Sequence, residues 1–201
     1  MDNTAIERIA APDLGADALA LLERFGSDDD VVFFMGRLVW QGEMRECLPA
    51  LEQIALEAER GRYARIASIR AIMTLGDEAQ KDRLWSAIAA HTGPLDRRLL
   101  AEILEWETPT LRSVELLLAT IDRLPPYERF EATGLSEAMH RFIDRLPIMA
   151  DAAPEQPVAR LVEGLNGFLD REPYIERGEC HVSEAFTWLM GPALHAVDRL
   201  V

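Results

Sequence analysis

Lysine is almost missing from this 201-residue chain: twenty arginines stand against one lysine, Lys81. A Walker-type phosphate loop needs Gly-Lys-Ser/Thr, and no such triplet occurs. A Schiff-base lysine would have to be Lys81, whose polar helix-start setting is not a desolvated pocket. Cysteine is scarce as well. Cys47 and Cys180 lie far apart, which excludes a disulfide framework and fits a reducing cytosol. Met1-Asp2-Asn3-Thr4 has neither the basic start nor the apolar core of a signal peptide. The most apolar run, Val31 to Trp40, is too short to span a bilayer and contains Arg37. Acids outnumber bases by 35 to 21, for a formal charge of −14. A polyanion such as duplex DNA is repelled by that balance unless the bases are segregated. The expectation is a cytoplasmic protein with neither nucleic acid nor membrane as partner. The bias to arginine and alanine is what a GC-rich bacterial genome would give.

What is present is ordinary globular composition, 49% apolar and 28% charged, with helical periodicity nearly everywhere and no convincing strand alternation. Met44, Cys47, Leu48, Leu51, Ile54 and Ala55 form one stripe. Val114, Leu117, Leu118 and Ile121 form another, as do Val158, Leu161, Leu165 and Phe168, and Phe186, Leu189, Ala193 and Val197. Each is the buried face of an amphipathic helix. Helices are expected at 14–25, 29–41, 43–59, 62–75, 78–91, 95–106, 110–124, 127–145, 157–171 and 183–200. Asp77 and Gln80 have capping-box spacing. Thr108-Pro109 reads as a cap followed by proline at the first helical position, and Ser183 as the cap of the last helix. Gly191-Pro192 is expected to kink or split that helix. Pro125-Pro126 and Gly93-Pro94 must lie between helices. The short connections make successive helices antiparallel neighbours.

Two repetitions stand out. Ile121-Asp122-Arg123-Leu124-Pro125 recurs as Ile143-Asp144-Arg145-Leu146-Pro147. Fainter echoes are Leu169-Asp170-Arg171 and Val197-Asp198-Arg199-Leu200. Each reads locally as an apolar anchor and a solvated charge pair at a helix end. The second repetition begins with Arg65-Ile66-Ala67, Ala71-Ile72 and Leu75-Gly76-Asp77, after a helix containing Pro49. This resembles the HEAT-repeat pattern, clearest over residues 47–77. Looser counterparts start at Arg97 or Arg98 and at Arg129; Arg65, Arg97 and Arg129 are 32 residues apart in turn. The resemblance implies an all-α, right-handed solenoid of about five stacked antiparallel helix pairs, a single helical-repeat domain over 1–201 or a piece of a longer protein. A closed helical bundle is the alternative. Helix pairs stack because neither apolar face of a pair can be covered alone.

Signatures of chemistry are few. His91, His140, His181 and His195 are scattered, with no His-Glu dipeptide and no His-x-x-x-His pair, so the chain does not resemble the HEAT-like di-iron hydroxylases. Cys180-His181 beside Glu179 lacks partners for a metal site, and His140 is expected to be solvated. Asp28-Asp29-Asp30 fit a helix cap better than a cation site. No nucleophile signature appears. Trp40, Trp85, Trp106 and Trp188 fit core packing, with one or two left as partner anchors. No cofactor, metal or catalytic residue is expected. Arg62, Arg65 and Arg70 share one expected helix, Arg97 and Arg98 begin another, and Arg129 begins a third. They fit an Arg–acid ladder between repeats, or an Arg-lined groove for an acidic peptide or phosphate. The function expected is a non-enzymatic scaffold binding another protein or domain, and the acidic surface favours a basic partner. Alternatives on the same architecture are a sensor or spacer segment of a NACHT-type signalling ATPase, a DNA glycosylase or a bilin lyase. Leu200-Val201 leave no polar tail, so the last helix is expected to be covered by self-association or a neighbouring domain.

Overall fold

Helices account for most of the structure, a computed structural model that describes residues 3–91, 95–125, 134–147 and 156–200. The chain divides into two compact units, Met1–Gly93 and Pro94–Val201.

The first unit contains α1 (Asn3–Glu7), α2 (Gly15–Phe25), α3 (Asp29–Gln41), α4 (Leu48–Leu56), α5 (Arg62–Leu75) and α6 (Glu78–Ala90). Asp28 caps α3 by accepting from the amides of Asp30 and Val31 at 2.9 and 3.3 Å, which settles the Asp28-Asp29-Asp30 run as a helix start. Asp77 and Gln80 form the expected reciprocal capping box of α6. The helix expected at 43–59 is shorter: a 3-10 turn over Arg45–Cys47 leads into α4, with Pro49 in its first turn. Sequence reading missed α1, which is too short to show a stripe.

Helices two apart run in the same direction here. The Gly61 amide, just before α5, donates to Asp29 Oδ2 at 2.6 Å at the start of α3. Midway, Gly36 lies so close to Ala67 that a Cβ on it would meet the Ala67 Cβ at 2.9 Å. Further on, the Arg70 guanidinium lies over the Trp40 ring. Likewise, the Cys47 thiol donates to the Gly15 carbonyl at 3.5 Å where α2 and α4 begin. The core is formed by Val32, Met35, Val39, Leu51, Ile69, Ile72 and Trp85. Ala64, Ala67 and Ala71 are the small residues that let α5 sit close to α3 and α4.

The second unit contains α7 (Arg97–Trp106), α8 (Leu111–Ile121), α9 (Leu135–Arg145), α10 (Pro157–Leu169), a hairpin of β1 (Tyr174–Arg177) and β2 (Cys180–Ser183), and α11 (Met190–Asp198). Again helices two apart are parallel. Glu115, Leu118 and Asp122 of the α8 segment face Arg160, Gly164 and Arg171 of the α10 segment in order. His140 and Asp144 of α9 face Gly191 and His195 of α11 in order. Leu100, Ile103, Leu117, Met139, Phe142 and Leu165 fill the interior.

Four expectations are corrected here. The stretch 172–182 is not a plain connection but contains most of an antiparallel hairpin, with Ile175 paired to Val182 and Arg177 to Cys180. Its two-residue turn begins at Gly178 with φ +62°, a conformation glycine adopts without strain. Ser183 therefore ends a strand and does not cap the last helix. That helix starts only at Met190, after a 3-10 turn over Thr187–Leu189. Pro192 is its third residue, where no intrahelical N–H bond is required, so proline neither kinks nor splits it. Finally, α8 is capped by Thr110, not Thr108. Thr110 Oγ1 accepts from the Ser113 amide at 3.1 Å, and Ser113 Oγ accepts from the Thr110 amide at 2.7 Å. Among the described residues, no helix is long and apolar enough to cross a membrane.

Candidate functional site

Arginines are used mainly at helix ends. The last carbonyls of a helix have no partner within it and lie at the negative end of the dipole, so a guanidinium fork suits them. Arg65, at the start of α5, donates through Nε to the Ala55 carbonyl near the end of α4 at 3.0 Å. Arg45, just before α4, donates to the Leu75 carbonyl that ends α5, so the α4/α5 pair is clamped at both ends. Arg60 reaches the Gly26 and Ser27 carbonyls after α2. In the second unit Arg97 donates to the Pro125 carbonyl at 2.7 Å. Arg145 reaches Leu104 O at 2.6 Å, and Arg199 reaches Asp144 O and Leu146 O at 2.8 and 2.9 Å.

This network gives the recurrent Asp-Arg phrase a meaning that its local reading lacks. Arg199 from one copy grips the backbone of another, Ile143-Asp144-Arg145-Leu146. Arg171 pairs with Asp122 of a third, and Asp144 accepts from His195 Nε2 at 2.8 Å. The charge pair is thus an inter-helix fastening. Carboxylate pairs extend it on the surface: Arg83 with Glu52, Arg141 with Glu105 and Arg160 with Glu115.

The six arginines singled out in the sequence fall in different settings. Arg65 and Arg97 are 9% and 2% exposed and serve the carbonyls just described; Arg97 also lies 4.5 Å above the Trp188 ring. Arg98 is half-buried in the first turn of α7, its amide capped by Asp96 Oδ1 at 2.9 Å. Arg62 is exposed at the start of α5, and Arg70 is half-buried against Trp40. Arg129 lies outside the described residues. Within the first unit the structure therefore leaves Arg62 and Arg70 on one outward stripe of α5 and turns Arg65 inward.

That stripe belongs to a wider surface which the sequence did not reveal. On α3, Phe33, Arg37 and Trp40 recur at helical spacing and are half-exposed; on α5, Tyr63, Ile66 and Arg70 do the same. The rings of Phe33 and Tyr63 are 5.9 Å apart, the Arg37 guanidinium lies 5.4 Å from the Phe33 ring centre, and that of Arg70 lies 5.1 Å from the Trp40 ring centre. Tyr63 is 62% exposed. No acid occurs between Val31 and Gln41 or anywhere on α5, whereas Arg37, Arg62, Arg65 and Arg70 do. A chain of net charge −14 thus has one helix pair on which only positive side chains are set, apart from Asp29 and Asp30 in the first turn of α3.

A second surface is apolar. α11 buries Pro192, Ala193 and Ala196 against its own unit, while Leu194, Val197 and Leu200 point outward; Leu194 is 63% exposed.

Other candidate chemistry stays dispersed. Cys47 is buried, and burial, with Glu46 adding to it, pushes its thiol up to about 11. It is therefore a neutral thiol and a poor nucleophile. Cys180 and His181 are exposed on β2. His140 is not simply solvated: its Nδ1 donates to the Ser136 carbonyl at 2.7 Å, and its ring lies 5.0 Å from that of His195. Among the described residues no group of three His, Cys, Asp or Glu side chains is placed to hold a metal ion.

No family model, curated protein or solved structure matches the chain.

Proposed function

We propose that the protein is a non-enzymatic, HEAT-like helical-repeat scaffold that binds another protein or domain through outward helix faces. The repeat reading is supported within each unit by helices two apart running parallel and by arginines that fasten their ends. This is how stacked helix pairs share apolar surface. A cytoplasmic setting and a bacterial source belong to the same proposal.

The observation that carries the binding role is the outward stripe of α11. Leu194, Val197 and Leu200 lie on a helix whose opposite side is already packed. Apolar area of this kind gains about 25 cal/mol per Å² when covered. Either a second copy of the chain or a neighbouring domain supplies that cover.

The test is light scattering of the purified chain across the micromolar range, with a photo-crosslinking amino acid in place of Leu194. The expected result is a mass above the monomer, or a crosslink to one defined partner, lost in Leu194→Glu/Val197→Glu. A strict monomer whose position 194 crosslinks to nothing in the native host overturns the proposal.

A further inference from the structure

We propose that His140 of α9 and His195 of α11 together bind one late first-row divalent cation of the Zn²⁺ class, which clips the two helices to each other. The site lies within the second unit and is independent of the scaffold reading.

Spacing is the first argument. The two imidazole rings are 5.0 Å apart, centre to centre, and tilted by 55°. A zinc–imidazole bond of about 2.0–2.1 Å places the ion about 3.2 Å from each ring centre, and a tetrahedral angle between two such bonds sets the centres about 5 Å apart. The pair stands at the separation that one shared ion imposes.

Proton placement is the second. His140 Nδ1 donates to the Ser136 carbonyl at 2.7 Å, one turn back on α9. His195 Nε2 donates to Asp144 Oδ1 at 2.8 Å. A carbonyl and an ionised carboxylate only accept, so the N–H of each neutral ring is assigned, and His140 Nε2 and His195 Nδ1 carry the lone pairs. Metal-binding histidines are held in this way: an oxygen acceptor behind the ring fixes its tautomer and orientation, and a carboxylate there raises the basicity of the ligand nitrogen. The edge of His140 that carries Nε2 faces α11. Its Cε1 and Nε2 are the atoms nearest a Cβ built on Gly191, at 3.7 and 3.8 Å. Glycine at that position leaves space beside the nitrogen, one turn before His195.

Ligand type and access are the third. Imidazole nitrogens suit Zn²⁺, Cu²⁺ or Ni²⁺, whereas Mg²⁺ and Ca²⁺ take oxygen. His140 is half-buried and the His195 side chain is 31% exposed, so an ion can reach both rings and keep water. Among the described residues no group of three His, Cys, Asp or Glu side chains is placed to hold an ion. Water therefore completes the shell, and the affinity is well below that of a closed structural zinc site with four protein ligands. A chain charge of −14 favours the approach of a cation.

The experiment uses the full, untagged, ¹⁵N-labelled chain carrying Cys180→Ser and His181→Ala, which removes the rival ligands exposed on β2. Three histidines remain: His91, His140 and His195. Imidazole ¹⁵N NMR is recorded as ZnCl₂ or MgCl₂ is added. With one equivalent of zinc, His140 Nε2 and His195 Nδ1 are expected to move together to metal-bound positions, while His140 Nδ1 and His195 Nε2 keep their protons. Exposed His91 stays where it was, and magnesium changes nothing. Calorimetry should count one zinc ion per chain. Either His140→Gln or His195→Gln should weaken binding at least as much as loss of an orienting partner does, about tenfold or more. Zinc should also raise the melting temperature, and should do so less in each glutamine variant.

No shift at either nitrogen, a shift of one ring alone, or an equal response of His91 each overturns the proposal. So does a zinc affinity that neither glutamine variant alters. The spectra are read on the native histidine pair, so they decide the matter even if a glutamine variant fails to fold.

Discussion

Arg199, just past the end of α11, donates to the Leu146 carbonyl just past the end of α9 at 2.9 Å, and to the neighbouring Asp144 carbonyl at 2.8 Å. One guanidinium thus closes the C-terminal end of a helix 53 residues earlier. Replacing it with alanine removes two charge-assisted bonds and leaves two carbonyls to water, a loss of about 1–2 kcal/mol. Arg199→Lys should recover less than half, because an ammonium cannot present the same fork to both carbonyls. Urea titration followed through the second unit's Trp106 and Trp188 measures both. Equal stability of the alanine variant and the wild type would show that the fastening contributes nothing.

Arginines of the two kinds, clamping and surface-paired, should behave differently. Arg65 is buried and donates to Ala55 O within the α4/α5 pair. Arg65→Ala should cost about 2–3 kcal/mol, through both the lost bond and the lost packing of the stem. Arg83 is 56% exposed and forks onto the mostly buried carboxylate of Glu52, and Arg83→Ala should lower the urea midpoint far less than Arg65→Ala does, and less at high salt than at low. A surface variant as costly as the buried one would contradict the division.

Helices were legible in the sequence because their stripes were long: every helix from α2 to α11 overlaps one expected from periodicity. The hairpin was not, since its strands have four residues each and its two β-branched apolar residues, half-buried Ile175 and buried Val182, are partners across the turn rather than neighbours along it. Cap positions were half-legible. Asp77 announced itself with Gln80, but the serine that answers Thr110 is a weaker signal than the Thr-Pro pair beside it. Arginine roles were the least legible, because the acceptors are carbonyls of distant helix ends, and every residue type has a carbonyl. The α3/α5 surface escaped for a similar reason. Phe33 and Tyr63 are thirty positions apart, and only parallel packing of the two helices brings their rings together.

Two glycines at helix crossings should respond differently to alanine. A Cβ at Gly36 meets Ala67 Cβ at 2.9 Å and Ala67 backbone atoms at 3.1 and 3.2 Å, so α3 and α5 must separate. Against a helix-propensity gain of about 1 kcal/mol, that overpacking should leave a net loss of roughly 1–2 kcal/mol. Ala67→Gly in the same chain should restore part of it, a coupling that a double-mutant cycle isolates. At Gly164 the obstacle is the flexible end of the Leu118 side chain, which can turn aside, and Gly164→Ala should be close to neutral. Equal losses at the two sites would refute the distinction between backbone and side-chain obstruction.

Alkaline conditions should test Cys47. Its folded thiol is raised from 9.0 to about 11, chiefly by burial and further by Glu46. A raised acid pKa means that the folded chain keeps a proton which the unfolded chain gives up. The contribution is intact below the unfolded value, declines as pH rises from about 9 to about 11, and is level beyond. At about pH 10 the wild type should have lost on the order of 1 kcal/mol through this group alone. Cys47→Ala starts lower because of its cavity but has no thiol to ionise, so the gap between the two chains should narrow between neutral and alkaline pH. Urea midpoints at the two conditions give the gap directly, and a gap that stays constant would place the thiol in contact with water. Reagent access offers an independent check. Exposed Cys180 should react with a thiol-specific disulfide in the native state, and Cys47 only as the first unit opens.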